Sequence, residues 1–174
     1  MENWGLVTYR TSALLVSMYS SSLSNRKRVT TVVAHELAHQ WFGDIVTMEW
    51  WDDLWLNEGF ASFVENIGTD YAHPEFKIWE TFLDSENSML FVDSSYFTHP
   101  VEAVITDPKS IDTLFDSITY DKGSSVIRMC YEYLGPNVFM SGINQYLTQY
   151  AYGNANNSDL WTVLRFANID ISFL

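Results

Sequence analysis

The sequence is poor in cysteine, in basic residues and in long apolar runs. Its single cysteine, Cys130, excludes an internal disulfide, and its place in a helical pattern favours a buried structural thiol. Nine Lys and Arg stand against 22 Asp and Glu, giving a formal net charge of −13. That charge disfavours nucleic acid and anionic membranes as partners, since both attract a basic surface. No stretch approaches the roughly 18 apolar residues of a membrane span, and no signal peptide is recognised.

The composition that remains is that of a packed globular chain. Apolar residues make up 47% and aromatic residues 16% of the 174 residues, about the size of one domain. Apolar spacing predicts a mainly α (α+β) fold, with an edge strand over Trp4–Arg10 that borders a cleft. The first long helix is expected to be capped by Asn25 or a neighbour and to end near Phe42, before Gly43. Further helices are predicted from residue 54 and over 76–89, 107–115, 126–134, 136–150 and 159–166.

The first long helix carries two histidines one turn apart, with a carboxylate beside the first. Because residues i and i+4 share a helix face, His35 and His39 can bind one metal ion. Glu36 can reach a water bound to the same metal, which is the arrangement of a zinc hydrolase. Catalytic zinc usually takes three protein ligands, and Glu58, in the next helical segment, is predicted to be the third.

This pattern resembles the zinc aminopeptidases of the aminopeptidase N type, which are gluzincins with a thermolysin-like catalytic domain. Three motifs in the family's order carry the resemblance, which covers roughly residues 1–161. In that family two histidines and a following glutamate, here His35, His39 and Glu58, bind zinc. The resemblance therefore implies one Zn2+ per chain and a general-base role for Glu36.

The other two motifs imply substrate contacts. Met1-Glu2-Asn3 resembles the end of the family's Gly-Ala-Met-Glu-Asn exopeptidase motif, in which the glutamate holds the α-ammonium of the peptide. Met1, Glu2 and Asn3 are therefore expected to bind substrate. Tyr120, in the segment Tyr120–Gly123, resembles the family's catalytic tyrosine, whose hydroxyl stabilises the oxyanion.

Several residues near these motifs have competing interpretations. Glu65 lies two helical turns after Glu58 on the same face, so it can accept a hydrogen bond from a metal-bound histidine; a surface acid is the alternative. His73 and His99 each precede a proline and are rejected as zinc ligands. The basic triplet Arg26–Arg28 is interpreted as a solvated first helical turn.

The resemblance implies an enzyme that removes single amino acids from peptides with a free N-terminus. Two alternatives are an endopeptidase with the same zinc chemistry and a truncated, catalytically incomplete binding or interaction module. Residues 1–174 are expected to form a partial thermolysin-like catalytic domain, without the family's preceding β domain and following helical domain. Faces that met such domains are then expected to be apolar patches larger than a few hundred Å². For the full-length parent, the resemblance favours a type II anchor at the plasma membrane or extracellular face, with the cytoplasm as alternative, and leaves a homodimer open.

Overall fold

The structure is a computed structural model that describes residues 1–17 and 19–167. The predicted mainly α fold is confirmed, and the described residues form six α-helices and two short strands. The helices are α1 Leu23–Ala38, α2 Leu54–Ala72, α3 Ile78–Asp93, α4 Gly123–Leu134, α5 Pro136–Gln149 and α6 Asn157–Ala167. The strands are β1 Val46–Met48 and β2 Gly153–Ala155. Single 3-10 turns cover Thr11–Ala13, Trp51–Asp53 and Pro74–Phe76, a longer 3-10 segment covers Pro108–Leu114, and a π-helical turn covers Ile118–Lys122.

Helix α1 is shifted from its predicted position. Its N-cap is Ser22, whose Oγ accepts a hydrogen bond from the Asn25 backbone N–H at 3.1 Å and satisfies a free helix-end donor. The α-helix ends at Ala38, earlier than the predicted Phe42. Gly43, with φ of +132°, then turns the chain so that its N–H donates to the Val46 carbonyl at 2.8 Å. The histidine pair therefore straddles the end of the helix.

The predicted strand over Trp4–Arg10 is wrong. Residues 4–10 form no strand, because the chain folds back on itself and has no neighbour to pair with. The Leu6 N–H donates to the Asn3 carbonyl at 2.9 Å, and Gly5 adopts a φ of +85° in this turn. The sheet lies elsewhere: β1 and β2 run parallel, with Val46 opposite Gly153.

Helix α2 is the centre of the molecule and packs against α1 and α4, while α5 packs against α6. Its inner face is apolar, and Phe60 and Phe63 are both 1% exposed. Burying such a side chain stabilises the fold by about 1.5–3 kcal/mol. The core also includes the following buried residues of the neighbouring elements: Phe42, Ile127, Phe139, Ile143, Leu160 and Val163. The buried α2 thus holds its polar residues, among them Glu58, in fixed positions against α1.

Cys130, on α4, is half-buried and packs against this core. Burial raises the pKa of its thiol, which lowers the fraction of reactive thiolate. Both observations agree with the structural role predicted for it.

Candidate metal centre

Helices α1 and α2 bring three predicted ligands together. His35 Nε2 lies 3.0 Å from His39 Nε2 and 3.2 Å from Glu58 Oε2, and His39 Nε2 lies 3.2 Å from the same oxygen. His39 and Glu58 are buried, whereas His35 is half-buried. Ligands of a tetrahedral zinc with bonds of 2.0–2.1 Å are separated by roughly 3.3 Å. The spacing of the three donors therefore fits a zinc ion.

The outer nitrogens of both imidazoles are held by acceptors. His39 Nδ1 donates to the Phe42 carbonyl at 2.9 Å, and His35 Nδ1 donates to Glu65 Oε2 at 2.8 Å. In the neutral tautomers that these bonds select, each Nε2 carries a lone pair toward Glu58. Three electron-rich atoms this close repel one another unless a metal ion, or a proton on one imidazole, lies among them. The chemistry of the donor set, two imidazoles and a carboxylate, is that of catalytic zinc sites.

The same crowding changes the pKa values of the three groups. Burial lowers the pKa of His35, but hydrogen bonds to Glu58 and Glu65 and their charges outweigh it and raise the pKa to about 10. Burial raises the pKa of Glu58, but the two histidines outweigh it and lower the pKa to about 2. Glu58 is therefore an anion over the whole neutral range, as a metal ligand must be.

The predicted base and amine-binding residues lie beside this triad. Carboxylate oxygens of Glu2 and Glu36 and a ring nitrogen of His39 all lie within 4.8 Å of one another. Glu36 Oε2 is buried and forms an ion pair with the Met1 ammonium at 3.1 Å. Asn3 is exposed, and its side chain donates to the Met1 carbonyl at 3.5 Å. The structure thus places Glu2 and Met1 at the site and Asn3 at its rim.

Tyr120 reaches the site from the π-helical turn before α4. Its ring stacks on that of His35, with centroids 6.0 Å apart. Burial, and then the negative charges of Glu58, Glu2 and Glu36, raise the pKa of its hydroxyl, so the group stays protonated and can donate a hydrogen bond. The turn lies close to α2 because Gly59 and Gly123 are in backbone contact: a Cβ on Gly59 would lie 3.0 Å from the Gly123 carbonyl carbon.

The site opens into a cavity of about 800 Å³ that sequence reasoning did not predict. Asp121 lines it, and burial followed by the charges of Glu65 and Asp116 raises the pKa of Asp121 to about 6. Lys27 and Arg28 also line it; Lys27 is half-buried and Arg28 is exposed, which agrees with a solvated first helical turn.

The two remaining histidines lie outside this cluster. His73 pairs with Glu75 at 2.9 Å and His99 pairs with Asp116 at 2.8 Å. Neither belongs to a group of potential metal ligands found among the described residues.

The triad of His35, His39 and Glu58, flanked by the Glu36 carboxylate and a protonated tyrosine on a mainly helical scaffold, is an arrangement typical of metallopeptidases. Comparison of sequences is more specific. The model of the "Peptidase family M1 domain" matches residues 1–173, and the chain belongs to this family. The match extends beyond the motifs found in residues 1–161.

Three relatives illustrate the likeness. "Aminopeptidase M1" of Arabidopsis thaliana is 53% identical over 164 residues, which is 94% of this chain and 19% of that protein. "Aminopeptidase N" of Oryctolagus cuniculus is 52% identical over 171 residues, 96% of this chain and 18% of the relative. "Probable aminopeptidase 2" of Sulfurisphaera tokodaii is 53% identical over 165 residues, 94% of this chain and 21% of the relative. The chain thus spans about a fifth of the length of these relatives.

The predicted location of the full-length protein is wrong. That prediction favoured the plasma membrane or extracellular face, with the cytoplasm as alternative. Relatives of nearly equal identity come from a plant and an archaeon, so the likeness fixes no location. Among the described residues, no helix combines the length and apolar character needed to cross a bilayer.

Proposed function

We propose that this chain carries the catalytic residues of a zinc-dependent aminopeptidase that removes single N-terminal amino acids from peptides. The observation that supports this most is the convergence of His35, His39 and Glu58 within 3.0–3.2 Å, beside the carboxylate of Glu36. The names of the relatives support the peptide substrate, since all three are aminopeptidases.

In the proposed mechanism, one zinc ion held by His35, His39 and Glu58 supplies Lewis acidity and lowers the pKa of a water toward 7. Glu36 accepts a proton from the attacking water and passes it to the leaving amine. The Tyr120 hydroxyl donates a hydrogen bond to the substrate carbonyl oxygen as negative charge develops there, a contribution of ~3 kcal/mol for one donor. Glu65 fixes the ring of His35 through the bond to its Nδ1.

The proposed substrate is a peptide with a free N-terminus. Its ammonium is held by Glu2, whose carboxylate lies within 4.8 Å of Glu36 and His39, with Met1 and Asn3 completing that edge of the site. An ammonium at this position limits the enzyme to one residue per cut. The alternative, an endopeptidase with the same zinc chemistry, needs no charge there and is distinguished by a substrate with an acetylated N-terminus.

We also propose that the full-length protein has two further domains, a β domain that precedes residues 1–174 and a helical domain that follows them. Strongly exposed aromatic residues support this, because Phe91, Tyr96 and Phe97 are 81%, 105% and 94% exposed at the C-terminal end of α3 and in the loop after it. A homodimer of the whole protein stays a prediction.

The test measures bound zinc by elemental analysis and hydrolysis of a chromogenic amino-acid amide on the same samples. The wild-type chain is expected to bind one zinc and to cleave the amide, and His39→Ala is expected to lose both. His73→Ala removes an exposed histidine outside the cluster and serves as the matched control. Glu36→Gln is expected to keep the zinc and to lose hydrolysis.

Other outcomes favour the alternatives. Zinc without hydrolysis in the wild type supports an incomplete chain that acts as a binding module. Hydrolysis of acetylated as well as free peptides supports an endopeptidase. A folded wild type that binds no zinc contradicts the assignment of all three ligands.

A further inference from the structure

The cavity at the candidate site extends in one direction along α1. Its inner end is lined by His35, Glu36 and Tyr120, and its far end by Lys27 and Arg28, near the N-terminal end of the same helix. Helix α3 forms the opposite wall. With about 800 Å³, the cavity has room for several peptide residues.

The position of Glu2 gives a peptide its direction in this cavity. Glu2 is grouped with Glu36 and His39, at the C-terminal end of α1, and does not line the cavity. A peptide whose ammonium lies at Glu2 and whose first carbonyl lies at the triad must continue past Glu36 into the cavity. The part of the substrate released after cleavage therefore runs toward Lys27.

Positive charge is scarce in this protein, yet two cations line this end of the cavity. The chain has nine Lys and Arg, and three of them are the consecutive residues 26–28. Among the described residues, no carboxylate lies within 4.0 Å of the charged groups of Lys27 or Arg28. Glu86, on α3, lines the same cavity and forms no ion pair with either. Lys27 is half-buried and Arg28 is exposed, so both charges at this end of the cavity are accessible to an anion.

The distance between Lys27 and the triad indicates which anion would bind there. Lys27 precedes His35 by eight residues, which is about 12 Å along a helix at 1.5 Å per residue. An extended peptide advances about 3.3 Å per residue, so three to four residues after the scissile bond cover this distance. We propose that Lys27, with Arg28 beside it, binds the C-terminal carboxylate of short peptides, and that free-acid peptides of about four to five residues are the preferred substrate class. This inference rests on the proposed function.

The test compares free-acid and C-terminally amidated forms of one alanine-rich pentapeptide. In the wild type, we expect KM to be about tenfold lower for the free acid, which corresponds to one charge-assisted hydrogen bond. Lys27→Met keeps the length of the side chain and is expected to abolish the difference by raising KM for the free acid to the value for the amide. Lys109→Met removes the same charge from an exposed turn outside the cavity and should leave the difference intact.

A binding measurement separates this proposal from the proposed function. Isothermal titration of both peptides into Glu36→Gln should give the same tenfold preference in Kd, with no need for turnover. If wild type hydrolyses and binds acid and amide alike, the carboxylate site is overturned and the aminopeptidase stands. If nothing is hydrolysed but the free acid binds tenfold better, the carboxylate site stands and the catalytic proposal fails. If neither peptide binds, the carboxylate site is overturned.

Discussion

The contact between Gly59 and Gly123 provides a test of how the fold positions the candidate site. Gly59 follows the proposed ligand Glu58, and Gly123 ends the turn that carries Tyr120. A Cβ added at Gly59 would lie 3.0 Å and 3.1 Å from two Gly123 backbone atoms and 3.3 Å from the Ser124 nitrogen. Because all three neighbours are backbone, Gly59→Ala must push α2 and the start of α4 apart by a few tenths of an ångström.

Two opposing energies set the expected size of the effect. Alanine gains about 1 kcal/mol over glycine in a helix interior. Overpacking a tight contact costs about 1–3 kcal/mol. The net change in the free energy of unfolding is therefore a loss of about 0–2 kcal/mol. The functional loss should be larger, since a small displacement of Tyr120 from the reacting carbonyl lowers kcat by roughly 10- to 100-fold.

Gly68→Ala, on the same helix, is the matched control. There the added Cβ meets only the Ala34 Cβ at 3.6 Å, which is an ordinary contact. The higher helix propensity of alanine should therefore stabilise the fold without steric strain. We expect Gly68→Ala to raise the midpoint of thermal unfolding by about 2–4 °C with unchanged hydrolysis and zinc content. Gly59→Ala should fall below this control in both stability and kcat while its zinc content stays at one. Equal stability and equal kcat for the two variants would refute the role given to the Gly59 and Gly123 contact.

Three further predictions concern single side chains. Glu65→Gln weakens the acceptor of the His35 Nδ1–H bond and is expected to lower zinc affinity by about 10- to 100-fold, measured by competition with a chelator, while circular dichroism stays unchanged. Tyr120→Phe removes one hydrogen-bond donor and should lower kcat by about 10²–10³ with unchanged zinc content; a change confined to KM would contradict the role. Asp121 has a folded-state pKa of about 6, above the value of about 3.9 in an unfolded chain, so the folded state binds more protons between these values. The stability of wild type relative to Asp121→Asn should therefore fall as the pH rises from 4 to 6 and stay level above that, as measured by urea unfolding; a difference that does not change with pH would refute the shift.

The ligand cluster was predictable because helical spacing acts over short range. His35 and His39 share a face by the i, i+4 rule, and Glu58 and Glu65 share another by two full turns. Packing one such face on the other is enough to bring all four side chains together, and the structure does so. The roles of these residues stay predictions.

Other features of the structure depend on contacts that local sequence patterns do not reveal. Trp4–Arg10 is β-prone but has no neighbouring strand, so its backbone hydrogen bonds are made within its own turn. Tyr120 is positioned by a π-helical turn against Gly59, about sixty residues earlier, which no local period reveals. Lys27 belongs to a basic triplet at a helix start, where solvation is the ordinary state. Its cavity exists only because α3 forms the opposite wall.

The net charge of the site connects the proposed zinc ion with the proposed binding of the peptide ammonium at Glu2. Four carboxylates, those of Glu2, Glu36, Glu58 and Glu65, surround two imidazoles within one site. With neutral imidazoles and the Met1 ammonium 3.1 Å from Glu36, this group carries three net negative charges, and one divalent cation reduces the excess to one. Excess charge in a partly buried site is costly unless it is paired, so a further cation is favoured beside Glu2 and Glu36. A peptide's free ammonium fits that requirement, whereas the amide of an internal peptide segment carries no charge to offset it. On this argument we expect cleavage of peptides with a free N-terminus and little cleavage of acetylated ones.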